Sequence, residues 1–219
     1  MTLTLLDLYN AAASQEWSMY DGEAATTEEM EKSLIIALNK ALAEIMYSRP
    51  FHFRERTQII ITVPKIKNYE LPYGLILKDR NGNFAIKANS KPLELITNPF
   101  ELEETEGLPS GFYLKGGDLI LYPTPTEKSI ITVDYLTLAL GENSQDDELY
   151  HLSHAEDTVL VPPHLEELLK QTVISKTMLN TISSESDENY SAYKKQFETA
   201  YKLLIKYEKG AGQDKSVKI

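Results

Sequence analysis

The sequence predicts an α+β fold, with two amino-terminal and two carboxy-terminal helices forming one bundle and an antiparallel β-region inserted between them. Three observations predict it. Helical patterns occupy both ends of the chain, the middle switches to β-branched strands and turn residues, and neither flanking pair of helices makes a good core by itself. The predicted organisation is a discontinuous helical bundle from 1–50 and 158–209, a β-domain over 51–140, an acidic loop over 141–157 and a flexible tail over 210–219.

Thr4 and Asp7 form a helix-start signal, followed by Leu5, Leu6, Tyr9 and Ala12 at helical spacing. That helix is expected to fade near Ser14, with Glu16 to Glu23 as an irregular connection. Thr26 and Glu29 have capping-box spacing and open a second helix. Its apolar stripe runs through Met30, Leu34, Ala37 or Leu38, Ala41 or Leu42, and Ile45 to a stop at Arg49-Pro50, because the residue before a proline is pushed out of the helical region.

Beyond Phe51 the period changes. Thr57 to Val63 reads as a well-buried strand, and Tyr69 to Pro72 as a turn-like entry to the next. Asn81-Gly82, with alternating residues on both flanks, predicts a hairpin with a two-residue type I′ turn. Leu108 to Thr126 predicts a second hairpin. Gly111 to Leu114 and Asp118 to Tyr122 are its strands, Gly116 and Gly117 permit the left-handed turn, and Pro123 and Pro125 close the block because neither donates to a sheet ladder. Ile130 to Leu138 adds another strand, for roughly five to seven antiparallel strands in the region.

Pro162 and Pro163 suit the first turn of a helix reaching about Thr181. After a break at Ser183 to Asp187, Tyr190, Tyr193, Phe197, Ala200, Leu204 and Tyr207 alternate by three and four, a narrow seam for helix packing. Gly210 and Gly212 are expected to end that last helix.

Composition narrows function. The 219 residues carry a formal net charge of −11, against the clustered lysine and arginine that nucleic acid or an anionic membrane requires. Cysteine is absent, which removes disulfides and thiol chemistry and fits a reducing compartment of synthesis. The first residues lack a basic n-region, and no apolar run approaches the ~18 residues of a membrane span.

Candidate chemistry is sparse. His151 and His154, three apart among acids, have metal-ligand spacing only if helical, and they lie in a loop-like passage with no cysteine partner. Asp79-Arg-Asn-Gly-Asn resembles a calcium loop, but its glycine comes too early and no bidentate glutamate follows, so a hairpin turn is preferred. There is neither a nucleophile elbow nor a phosphate-binding glycine pattern. The expectation is a non-enzymatic protein without cofactor or metal. Arg49, Arg54 and Arg56, interleaved with Phe51 and Phe53, suit an intersubunit or partner contact, and thirteen tyrosines favour interfaces. The remaining candidate contact residues are Phe112, Tyr113, Tyr122, Pro123 and Pro125 of the second hairpin, with Lys215 and Ile219 of the tail.

Tyr69-Glu-Leu-Pro72, Leu108-Pro-Ser-Gly-Phe-Tyr113, Leu121-Tyr-Pro-Thr-Pro125 and the Val161-Pro-Pro helix opening, set in a helix–β–helix plan, resemble the head-to-tail adaptor (connector) proteins of tailed bacteriophages. Within that family the chain most resembles the portal-proximal ring protein of short-tailed, crAss-like phages. The resemblance covers the first helix to about Tyr207. It implies a non-enzymatic homo-oligomer, a twelvefold ring beneath the portal protein that extends the DNA channel and offers a platform to the next tail protein. It further implies a place at the head–tail junction of the virion, after synthesis in the host cytoplasm. Genomic DNA would pass through the lumen without sequence-specific binding, and no membrane is involved. Two other classes stay open: a non-catalytic module recognising a protein or glycan through the β-region, and a metal-dependent hydrolase using His151 and His154.

Overall fold

A computed structural model describes residues 2–19, 28–79, 81–182 and 188–213. It is an α+β protein, with four α-helices among the described residues and antiparallel-rich sheets in the middle. In chain order the elements are α1 (Leu5–Met19), α2 (Glu28–Tyr47), β1 (Glu55–Ile61), β2 (Asn68–Glu70), β3 (Gly74–Ile76), β4 (Ile86–Ala88), β5 (Lys91–Pro92) and β6 (Glu94–Leu95). There follow β7 (Glu106–Gly107), β8 (Gly111–Lys115), β9 (Asp118–Tyr122), β10 (Thr124–Pro125), β11 (Ile130–Thr137), β12 (Gly141–Glu142), β13 (Glu148–Leu149) and β14 (Thr158–Val159). Last come α3 (Glu166–Thr181) and α4 (Glu188–Gln213). The chain divides into a helical unit, residues 1–53 with 139–219, and a β-unit, residues 54–138.

The helical unit is organised on α3, which packs against each of the other three helices. Its core gathers Leu8 and Ala12 of α1, Leu34, Leu38, Leu42 and Met46 of α2, Leu169 and Val173 of α3, and Leu204 of α4. α3 reads as polar because it buries Thr172, Ser175 and Thr177, and each hydroxyl donates to the carbonyl one turn back, so burial leaves no orphaned donor. The helix-start signal at Thr4 and Asp7 takes the form of a reciprocal box at the start of α1. The Thr4 backbone N–H and hydroxyl both donate to Asp7 Oδ2, at 3.0 and 2.8 Å, and Thr4 Oγ1 accepts the Asp7 N–H at 3.2 Å. These donors hold the Asp7 carboxyl below its ordinary pKa, the Thr4 backbone N–H contributing most.

Several expectations about helix ends give way. α1 continues past Ser14 to Met19, so part of the predicted connection is helical, while residues 20–27, and with them the Thr26 cap, lie outside the described residues. Met30 sits at the exposed edge of α2. α4 passes through Gly210 and Gly212 to Gln213, since each interior glycine costs only about 1 kcal/mol in a helix of this length. The predicted flexible tail is therefore helical at its start, and its remainder, residues 214–219, lies outside the described residues. Tyr207 is exposed, and Glu208 takes its place toward the interior.

The largest correction concerns residues 141–157. Most of the stretch is exposed, as expected of a surface loop, but it is tied down: β12 pairs antiparallel with both β13 and β14, and Leu149, Leu152 and Val159 join the helical core. Buried Asn39 of α2 explains why this polar stretch folds inward: its side-chain amide donates to the Leu152 carbonyl at 2.9 Å and accepts the Leu152 N–H at 2.8 Å. The backbone beside Gly141 comes so close that a Cβ there would lie 2.0 Å from the Thr158 carbonyl oxygen. Asp157 is buried because its carboxylate accepts the N–H groups of Ser153 and His154 at 2.7 and 2.8 Å.

In the β-unit one sheet has the order β1-β11-β4-β5, with β3 also paired to β11, and a second has the order β2-β9-β8-β6. Between them lie Ile86, Leu93, Phe112, Leu119, Leu121, Ile131 and Val133. Among the described residues the unit holds eleven short strands, more than expected. Two pairings, β6 with β8 and β7 with β10, are parallel rather than antiparallel. Asn68–Glu70 is a strand and not merely a turn, because it finds an edge beside β9. The Asn81-Gly82 turn exists, but Asp79 N–H bonds the Asn83 carbonyl at 2.8 Å and Lys78 bridges Phe84, a pairing one residue off that of a two-residue loop. β3 and β4 then diverge, each pairing with a different stretch of β11.

Candidate interaction surfaces

The second hairpin forms as expected. β8 and β9 pair from Gly111 opposite Tyr122 to Lys115 opposite Asp118, and Gly116 and Gly117 turn with φ of 64° and 95°. Pro123 ends β9, and Thr124 N–H turns instead to the Thr105 carbonyl at 2.9 Å, which starts β10 beside β7. One face of the hairpin is internal, with Phe112, Leu119 and Leu121 in the β-unit core and Phe84 edge-on to Phe112 at 6.0 Å.

Several residues expected at interfaces also make contacts within the chain, and Phe51, Arg54, Phe112 and Pro125 are buried. Phe51 is fully buried in the helical core and stacks on half-buried Phe53 at 5.1 Å, with the Arg49 guanidinium over its ring at 5.3 Å. Arg49 pairs at 3.5 Å with Glu208, whose carboxylate also accepts the His52 N–H at 2.7 Å, so α4 grips the chain leaving α2. Arg54 is buried and donates to the Thr137 carbonyl, while half-buried Arg56 donates to the Glu55 carbonyl at 3.1 Å. Pro125 is buried, Tyr113, Tyr122 and Pro123 are half-buried, and Lys215 and Ile219 lie outside the described residues. The arginines of the basic–aromatic alternation thus engage one buried carboxylate and two backbone carbonyls.

The exposed apolar surface lies elsewhere. β1 is at one end of its sheet, and its residues alternate: Ile60 packs against the core while Ile59 and Ile61 are 65% and 62% exposed. The expected well-buried strand is therefore one-sided. Ile130 stands opposite Ile61, so Ile59, Ile61 and Ile130 cluster at one end of the outer face, while exposed Leu75 of β3 lies toward the other end, opposite Leu136 and beyond the polar Thr57–Asp134 pair. Phe100 is 96% exposed, in a 3-10 turn of Pro99–Glu101 between β6 and β7. From Leu93 to Leu114 the chain has five glutamates and no basic residue. Sequence reasoning passed over Phe100; the available signal was a lone aromatic after a proline, in an acidic stretch with no apolar period to bury it.

The helical unit carries an open groove of about 630 Å³ among α1, α3 and α4. Ile174, Ala200 and Leu203 line it, with Lys170 and Lys195 also in its wall. Its one lining carboxylate, Glu167, accepts a hydrogen bond from Gln171 at 2.9 Å.

Nothing in the described residues assembles a reaction centre around the histidines. His151 and His154 are both exposed, and among the described residues no group of three His, Cys, Asp or Glu side chains could hold a metal ion. Asp79 Oδ1 is engaged by the Asn81 and Asn83 N–H groups at 2.8 and 2.9 Å, and this bonding, Asn83 foremost, lowers its pKa. No helix of the described residues is long and apolar enough to cross a membrane. No protein-family model matches this chain, and no curated protein matches it.

Proposed function

We propose that this chain is a structural subunit of a virion ring, a head-to-tail adaptor that sits below the portal protein at the head–tail junction. It extends the DNA channel and gives the next tail protein a platform. The observation that carries this reading is the outward apolar display of the β-unit, with Ile59, Ile61, Leu75, Ile130 and Phe100 exposed around a unit whose own core is already filled. Ile59, Ile61 and Ile130 are neighbours on one outer face, and an exposed apolar cluster of that kind suits contact with other protein. A ring needs two different faces on each subunit. The resemblance carried by Leu108-Pro-Ser-Gly-Phe-Tyr113 and Leu121-Tyr-Pro-Thr-Pro125 supports the same assignment. A net charge of −11 supports a channel past which the DNA backbone slides without adhering. The ring binds no cofactor and performs no reaction.

Sedimentation of the purified chain, alone and mixed with portal protein, tests this. The expected result is a discrete ring-sized species, of about twelve copies, in at least the mixture. A chain that stays monomeric in both samples overturns the reading, and capture of a single protein or glycan by that monomer would establish a binding module instead.

A further inference from the structure

We propose that Phe100 of one copy docks in the groove among α1, α3 and α4 of the next copy. The contact deepens the ring reading and rests on it for taking the partner to be a second copy of this chain.

The projecting side is built as an anchor. Phe100 is 96% exposed, so folding of its own chain does not use the ring. Pro99 fixes the entry to the 3-10 turn, and Leu102 N–H closes that turn on the Pro99 carbonyl, which presents the aromatic in a preset position. Glu101, Glu103 and Glu106 surround it with negative charge.

The receiving side is complementary in size, polarity and charge. The groove's volume of about 630 Å³ is ample for an aromatic ring and its flanking residues. Ile174, Ala200 and Leu203 offer apolar contact, and Lys170 and Lys195 stand where an acidic collar would sit. Among the described lining residues two lysines face one carboxylate, Glu167, whose charge the hydrogen bond from Gln171 does not cancel, and Asp7 partly offsets Lys170 from nearby, so the basic character is centred on Lys195. The lining is mixed, with Ala11, Ile174, Ala200 and Leu203 among polar neighbours, and a large aromatic seated against those four concentrates binding energy in few residues. Because the two surfaces differ, each copy uses both, and the contact propagates until it closes.

The absence of cysteine from the natural chain makes the test direct. Phe100→Cys and Leu203→Cys are made singly, and the variants are oxidised alone and as a mixture. The proposal expects a covalent pair from the mixture in clear excess over either variant alone. It also expects Phe100→Ser, which alters an exposed side chain, to melt like wild type while weakening self-association about 30-fold or more. Added salt should weaken wild-type association as well. Wild type that stays monomeric, alone and with portal, overturns the ring reading and this contact together. Wild type that assembles while the mixture gives no excess, or while Phe100→Cys links to itself or to portal instead, overturns the contact alone.

Discussion

Residues 94–106 and 141–157 look alike in sequence: both are acidic, both lack a sustained apolar period, and both join stronger elements. Their fates are opposite. The second is drawn into the helical core by Asn39, which satisfies both backbone groups of Leu152, and by the carboxylate of Asp157, which turns the chain at Ser153 and His154. The first meets no such partner and holds Phe100 out to solvent. Charge composition therefore sets how such a segment interacts with water and with other charges, while burial is decided by whether a distant side chain takes up its backbone polar groups.

Four substitutions probe that contrast. Asn39→Leu should have the largest effect, because it strands the buried N–H and carbonyl of Leu152; the expected loss is about 2–4 kcal/mol in urea unfolding followed at the helix band. An unchanged midpoint would mean that residues 141–157 are held by something other than this amide. Gly117→Val comes next. A β-branched residue at a φ of 95° strains the β8–β9 turn by about 1–2 kcal/mol, and β8 is the strand on which β6, at the base of the displayed segment, rests. Amide exchange should rise in β8 and β9 and ring assembly should suffer; normal assembly would show that the turn tolerates the change.

Asp7→Ala should cost about 1 kcal/mol by opening the box at the start of α1, whose Leu5 N–H leans on the Asp157 carbonyl at 2.9 Å. Because the folded Asp7 pKa lies below the ordinary carboxylate value of about 3.9, its contribution is complete above that value and disappears as pH falls through the folded pKa. The gap between variant and wild type should therefore be full at neutral pH and close in acid; a gap that widens in acid would reverse the assignment. Phe100→Ser should have the smallest effect on stability, within about 0.5 kcal/mol. A large drop in its melting temperature would show that the displayed segment is tied down after all.

Much of the fold is legible from local rules. Thr4 and Asp7 announce α1, Arg49-Pro50 marks the end of α2, and Gly116-Gly117 sets the register from Gly111 to Tyr122, because each signal acts within a few residues. The failures are long-range. Nothing near residue 152 states that residue 39 will bond to it. Thr57 to Val63 is apolar enough for a central strand, yet β1 lies at a sheet end with one face in solvent. Arg49 and Arg54 look like surface cations until Glu208, far along the chain, and the Thr137 carbonyl claim them. Arg54 is buried and Arg49 half-buried, while Phe100, which no local pattern singled out, stands in solvent.

The most direct test of the assembly role is electron microscopy of the chain mixed with portal protein. Class averages should show a ring of this protein stacked on one face of the portal, with the central channel continuous through both. Bare portal particles beside unassembled chains, at concentrations where both are folded, would contradict it.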